Sequence, residues 1–139
     1  MATCPDVLEN DMPLVQIDLP RPLFEEKGPQ ISDEVHRAFI DSLDIPADDK
    51  FQIFRPRDEG ELIFDSTYGG VDRRQLVVIQ VLMVHRYTVE LKRELYRHIV
   101  TRLAAIGIRR EDIQIGVTEN HYEDWYAGRL HGDGGAAAQ

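Results

Sequence analysis

Cysteine is almost missing: Cys4 is the only one in 139 residues. A lone thiol excludes an intrachain disulfide framework and any cysteine-based metal cluster, and it fits a reducing cytoplasm. Long apolar runs are absent as well. None approaches the ~20 residues needed to span a bilayer, so no membrane partner is expected. Positive charge is scarce, with 16 Lys and Arg against 25 Asp and Glu, a net charge of −9 and a pI near 4.9. Nucleic acids and anionic lipid surfaces select clustered cations, which argues against both. Arg55-Pro56-Arg57 and Arg73-Arg74 are local basic spots in an acidic chain and read as solvated. His36, His98, His121 and His131 lack the spacing of metal ligands, so no metal is expected. There is no phosphate-cradling glycine motif and no Gly-x-Ser-x-Gly. Residues 1–11 have neither the basic start nor the apolar centre of a signal peptide. They read as a disordered extension, or as lying upstream of the start that is used.

What is present suits one globular domain: 42% of the residues are hydrophobic. Val15, Ile17 and Leu19 alternate with Gln16 and Asp18, the period of a strand, and proline is acceptable at a strand's first residue. Pro20, Arg21 and Pro22 break that strand, and 24–30 reads as a polar loop. Ser32 then offers a helix cap ahead of Asp33 and Glu34. Val35, Phe39 and Leu43 repeat at helical spacing, and Pro46 stops the helix. A strand is expected over 51–54 and a short extended piece over 61–65. The run Leu76 to Val84 is so apolar that it reads as a central strand buried on both faces. Thr88 caps a second helix carrying Leu91, Leu95, Ile99, Leu103 and Ile106, which Gly107 ends. Ile113, Ile115 and Val117 alternate as a last strand, before a loop over 120–129 that holds the only tryptophan, Trp125.

Strand, helix, strand occurs twice in this order. Two right-handed β-α-β repeats predict an α/β (α+β) fold with a four-stranded, mostly parallel sheet and two helices on one face. The other face stays partly uncovered, which suits an oligomer packing sheets around an axis. The expected domain covers 12–132, with a flexible tail over 133–139.

The chemistry gathers around Met12-Pro13-Leu14. If translation starts at Met12 and the methionine is removed, Pro13 carries a free secondary amine at the mouth of a strand. An α-amino group has a reference pKa near ~8, and desolvation or nearby cations bring it toward neutrality, within range of general acid–base work. In the chain as written, the Pro13 nitrogen is an amide without basicity. His85, Arg86 and Tyr87 follow the central strand just before a helix N-terminus, where anionic ligands collect in α/β folds. Arg86 is either a bidentate carboxylate anchor or a solvated loop arginine. Asp49 either positions a water or is a solvated turn carboxylate. Trp125 and Tyr126 either wall a pocket or pack an interface.

In order along the chain, Met12-Pro13-Leu14, Asp44 to Gln52, Val77 to Val81, Thr118-Glu119-Asn120, and Asp124-Trp125 with Gly128-Arg129 form a specific set. From Met12 to about Gly132 the sequence resembles the tautomerase superfamily, with its 4-oxalocrotonate tautomerase-like fold. It is most similar there to the malonate semialdehyde decarboxylase branch. The resemblance implies a homotrimer, no cofactor, a small oxo-acid substrate, a catalytic N-terminal proline at Pro13, a water-activating aspartate at Asp49 and a pocket tryptophan at Trp125. Two features depart from that pattern. His85 and Tyr87 stand where the decarboxylase loop has arginines, leaving Arg86 one position off, and Ala127 replaces an aromatic. The expected activity is therefore tautomerisation of a 2- or 3-oxo acid, with Pro13, Arg86 and Tyr87 as base, anchor and donor. Decarboxylase, hydratase or haloacrylate-dehalogenase-like chemistry is the alternative, and an inert trimer with a blocked Pro13 is the third reading.

Overall fold

The computed structural model describes residues 12–128. The predicted extension and tail, and Arg129, lie outside the described residues. β1 (Leu14–Pro20), α1 (Arg21–Leu43) and β2 (Phe51–Arg57) form the first half, and β3 (Val77–Val84), α2 (Val89–Ala105) and β4 (Ile113–Asn120) the second. The sheet order is β2-β1-β3-β4. β1 and β2 run parallel, as do β3 and β4, while β1 and β3 pair antiparallel where the halves meet. The expectation of two β-α-β repeats is borne out, and the sheet is mixed.

Alternation decides which face is covered. Val15, Ile17 and Leu19 of β1 and Val77, Ile79, Val81 and Met83 of β3 are buried with Ile31, Val35 and Phe39 of α1 and Leu95, Ile99 and Leu103 of α2. Both helices therefore cover one face. The predicted double-sided burial of β3 needs correction, because Gln80 is exposed and Val78 and Leu82 are only half-buried. Without helices on the second face, β3 follows the alternation of a one-sided sheet.

α1 begins 11 residues before the predicted cap at Ser32, absorbing the supposed loop at 24–30. Pro22 fits the first turn, where its missing N–H has no partner to lose. Pro29 sits inside the helix and forfeits the bond to the Glu25 carbonyl, at a cost of about 3 kcal/mol. Burying Leu23 and Ile31 on either side contributes about 1.5–3 kcal/mol each, which offsets that cost. Ser32 is thus mid-helix, where its hydroxyl donates to Gln52 Oε1 at 2.6 Å and ties α1 to β2.

α2 matches its prediction. Thr88 Oγ1 accepts from the Leu91 amide at 3.1 Å, and Glu90 lies in the first turn. Past the last turn Gly107 takes φ 96°, where a Cβ would stand 2.6 Å from Lys27 Nζ; that ammonium donates to the Ile106 carbonyl. The predicted extended piece at 61–65 is irregular and pairs with no strand.

Candidate active site

Because β1 and β2 run opposite to β3 and β4, one end of the sheet collects the starts of the first pair and the finishes of the second. Leu14 pairs with Phe51 on one side and Leu82 on the other. Pro13 precedes that point by one residue and Asp49 precedes Phe51 by two, while His85 follows Leu82 by three. At about 3.3 Å per residue, all lie within roughly 10 Å of one another along the strand direction. Pro13 is buried, so a base at this position would be partly desolvated.

A hollow of about 150 Å³ opens here between Met12, Leu14, Phe51, Trp125, Tyr126 and Ala127. Its walls are mainly apolar. Trp125 is aimed by the turn that follows β4. The His121 amide donates to Asp124 Oδ2 at 2.9 Å, folding Tyr122–Asp124 into one helical turn, and Trp125 Nε1 donates to Asn120 Oδ1 at 2.7 Å. Tyr126 forms the outer lip and is 67% exposed.

The other expected residues separate by environment. Asp49 stands in the turn before β2, its amide donating to the Pro46 carbonyl, with both carboxylate oxygens out of solvent contact. His85 and Arg86 are exposed at the end of β3. Tyr87 instead belongs to the core, and the Arg86 guanidinium carbon lies 5.4 Å from its ring centroid.

Two residues given no role by the sequence complete this end. Glu119 Oε1 accepts from His85 Nδ1 at 3.0 Å, and its Oε2 pairs with Lys92 Nζ at 3.1 Å. Burial pushes the Glu119 carboxyl up, but the hydrogen bonds and charges of His85 and Lys92 hold it below its ordinary value. It is therefore ionised at neutral pH and must be the acceptor in both contacts. The pairing of Met83 with Glu119 carries the carboxylate to His85, and β-strand register was the signal that could have found it.

A family model described as "Tautomerase enzyme" matches residues 49–128. "Probable tautomerase YusQ" of Bacillus subtilis (strain 168) is 34% identical over 119 residues, covering 84% of this chain and 94% of that protein. The chain belongs to the tautomerase family. It is an enzyme, an isomerase or a related decarboxylase or hydratase. The chain also superposes on FG41 malonate semialdehyde decarboxylase inhibited by 3-bromopropiolate, with a TM-score of 0.79, 35% identity and coverage of 84% and 89% of the two chains. A fused 4-OT symmetric trimer shares the fold alone, at a TM-score of 0.67 and 16% identity over 84% and 93%. Among the described residues, no helix is long and apolar enough to cross a membrane.

Proposed function

We propose that this enzyme interconverts the keto and enol forms of a small 2- or 3-oxo acid without a cofactor, using Pro13 as an N-terminal amine. The observation that carries this reading is the meeting of a buried Pro13, an apolar hollow and the His85–Arg86 loop at one end of the sheet. The amine removes the proton from the carbon beside the carbonyl, and the π electrons shift onto oxygen as the enol forms. Arg86 holds the substrate carboxylate by charge-assisted hydrogen bonds. Trp125 and Tyr126 exclude water on the far side. Asp49 is the water-activating carboxylate of the decarboxylase or hydratase reading, which the likeness to the FG41 enzyme favours as the second activity. Known trimers of this fold and the exposed Phe51 and Ile53 on the open sheet face support a homotrimer, with a cytoplasmic location to match the single cysteine.

The reading turns on one bond. A prolyl amide delocalises its lone pair and takes no proton near pH 7, so Pro13 is a base only when it is the first residue. Protein expressed from Met12 should begin at Pro13 by intact mass and convert phenylenolpyruvate to its keto form. Protein retaining residues 1–12 should be at least ~10²-fold slower, the scale of a lost general base. Equal activity in an uncleaved chain from Met1 would remove Pro13 from the chemistry. Inactivity from both starts would leave the inert trimer.

A further inference from the structure

The site above has a base and an anchor, but its expected oxygen donor, Tyr87, is a core residue. Beside the exposed Arg86 stands the His85 ring, 63% open to solvent yet fixed by a carboxylate. We propose that His85 is the proton donor and acceptor for the substrate oxygen, and that Glu119, braced by Lys92, is the positioning residue that dedicates its Nε2 to that task. The proposal rests on the tautomerase reading of Pro13.

Three observations support it. Glu119 is acceptor-only when ionised, so the His85 Nδ1 facing it carries the hydrogen, and proton exchange with substrate falls to Nε2. Lys92 occupies the second carboxylate oxygen, which keeps Glu119 from turning away. The charged or titratable groups around His85 come from every neighbouring element: Glu119 from β4, Lys92 from α2, Arg86 from its own loop, and His121 after β4, whose ring centroid is 6.5 Å away at an edge-on angle. A carboxylate holding one imidazole nitrogen while the other meets the substrate is a recurrent arrangement for proton transfer.

The step balances without a co-reactant. In the keto-to-enol direction the Pro13 amine gains a proton as the C–H bond breaks. The C–H pair becomes the C=C bond, and the carbonyl π pair moves to oxygen. That oxygen takes the proton from Nε2, leaving a neutral ring with Nδ1–H on Glu119. The reverse direction returns the enol proton to Nε2 and the Pro13 proton to carbon. An arginine at the same position holds a carboxylate but exchanges no proton near neutrality, so the two roles of this position separate cleanly.

The test uses protein beginning at Pro13 with phenylenolpyruvate as probe. His85→Gln should lower kcat about 10²-fold with KM nearly unchanged, and His85→Arg should be equally slow despite restoring charge. Glu119→Gln should lower kcat by roughly 10-fold or more while His85 is still present. Nitrogen-15 NMR of the neutral His85 ring should give the Nδ1–H tautomer in the parent and a shift toward Nε2–H in Glu119→Gln. Parental kcat in His85→Arg would make His85 an anchor and overturn the proposal, as would unchanged kcat in His85→Gln or an Nε2–H tautomer in the parent. No turnover by the parent from either start would overturn the Pro13 reading and the donor role together, with NMR still deciding whether Glu119 holds the ring.

Discussion

At the end of the sheet where β1 and β2 finish, a cleft of about 630 Å³ is lined by Pro20, Arg21, Arg57, Asp58, Arg74 and their neighbours. At the opposite end, beside Pro13, the hollow measures about 150 Å³. Volume alone would send the search to the end opposite the proposed site. In the larger cleft each of those arginines faces a carboxylate: Arg21 meets Asp58 at 2.7 Å, Arg57 meets Asp18 at 2.8 Å, and Arg74 meets Asp72 at 2.9 Å. Cations neutralised in this way have little left to offer an anionic ligand. At the Pro13 end the apolar walls lower the local dielectric, and the polar groups form a chain from Lys92 through Glu119 to His85. On the proposed reading reactivity needs desolvation and aimed donors: the smaller hollow has the apolar walls, and the His85–Glu119–Lys92 chain lies at the same end of the sheet.

Arg86 offers the largest way to break that contrast. As the carboxylate anchor, Arg86→Ala should raise KM for oxo acids and lower kcat/KM by ~10²-fold, the scale of a lost charge-assisted contact. Arg74→Ala at the other end should leave steady-state kinetics within about 2-fold, since Arg74 is a solvent-facing partner of Asp72. If Arg74→Ala damages turnover and Arg86→Ala does not, the two ends have been assigned the wrong way round.

The fold was legible wherever a local pattern carried it. Alternation in β1 and β4, the apolar run of β3 and the Thr88 cap each marked an element without help from its neighbours. The start of α1 was not, because Pro20-Arg21-Pro22 reads as a breaker until Pro22 is placed in a first turn, and Gly28-Pro29 conceals the periodicity behind it. Of the proposed site, Pro13, Trp125 and the loop after β3 stood out in the sequence as residue types. Glu119 was not, since its meaning comes from His85, 34 residues earlier on a neighbouring strand. Asp18 was hidden in the same way. Its place in the alternation reads as solvent-facing, yet it is only 7% exposed because β2 lays Arg55 and Arg57 across it.

That cluster gives a middle-sized effect, on stability and not on rate. Asp18 pairs with Arg57 at 2.8 Å and Arg55 at 3.4 Å across the β1–β2 ladder. Both arginine side chains are more than a third exposed, at 39% and 38%, so solvent takes up much of the charge they would be left with. Asp18→Ala should therefore destabilise by about 1 kcal/mol, below the 3–5 kcal/mol expected for breaking a fully buried pair. Urea unfolding at pH 7 reads this from the midpoint at constant slope. A loss above about 3 kcal/mol would mean that β2 depends on the cluster for its attachment to the sheet.

The smallest effect belongs to the ion pair on the rim of the larger cleft. Arg21 Nε meets Asp58 Oδ1 at 2.7 Å, but the side chains are 46% and 65% exposed. The guanidinium is held above its ordinary value, first by the hydrogen bond to Asp58 and then by its charge. Arginine is already protonated at every pH where the protein is folded, so that shift changes no protonation state and adds no pH dependence. Two long, solvated side chains gain little from meeting in water and lose rotamer freedom by doing so. Asp58→Ala should therefore move Tm by no more than about 1 °C and leave phenylenolpyruvate turnover at the parental rate. The measurement is a thermal melt and an enol assay on the same preparation. A drop of several degrees would show that the pair fastens the segment after β2 to α1. A drop in turnover at unchanged Tm would mean that the larger cleft takes part in the chemistry after all.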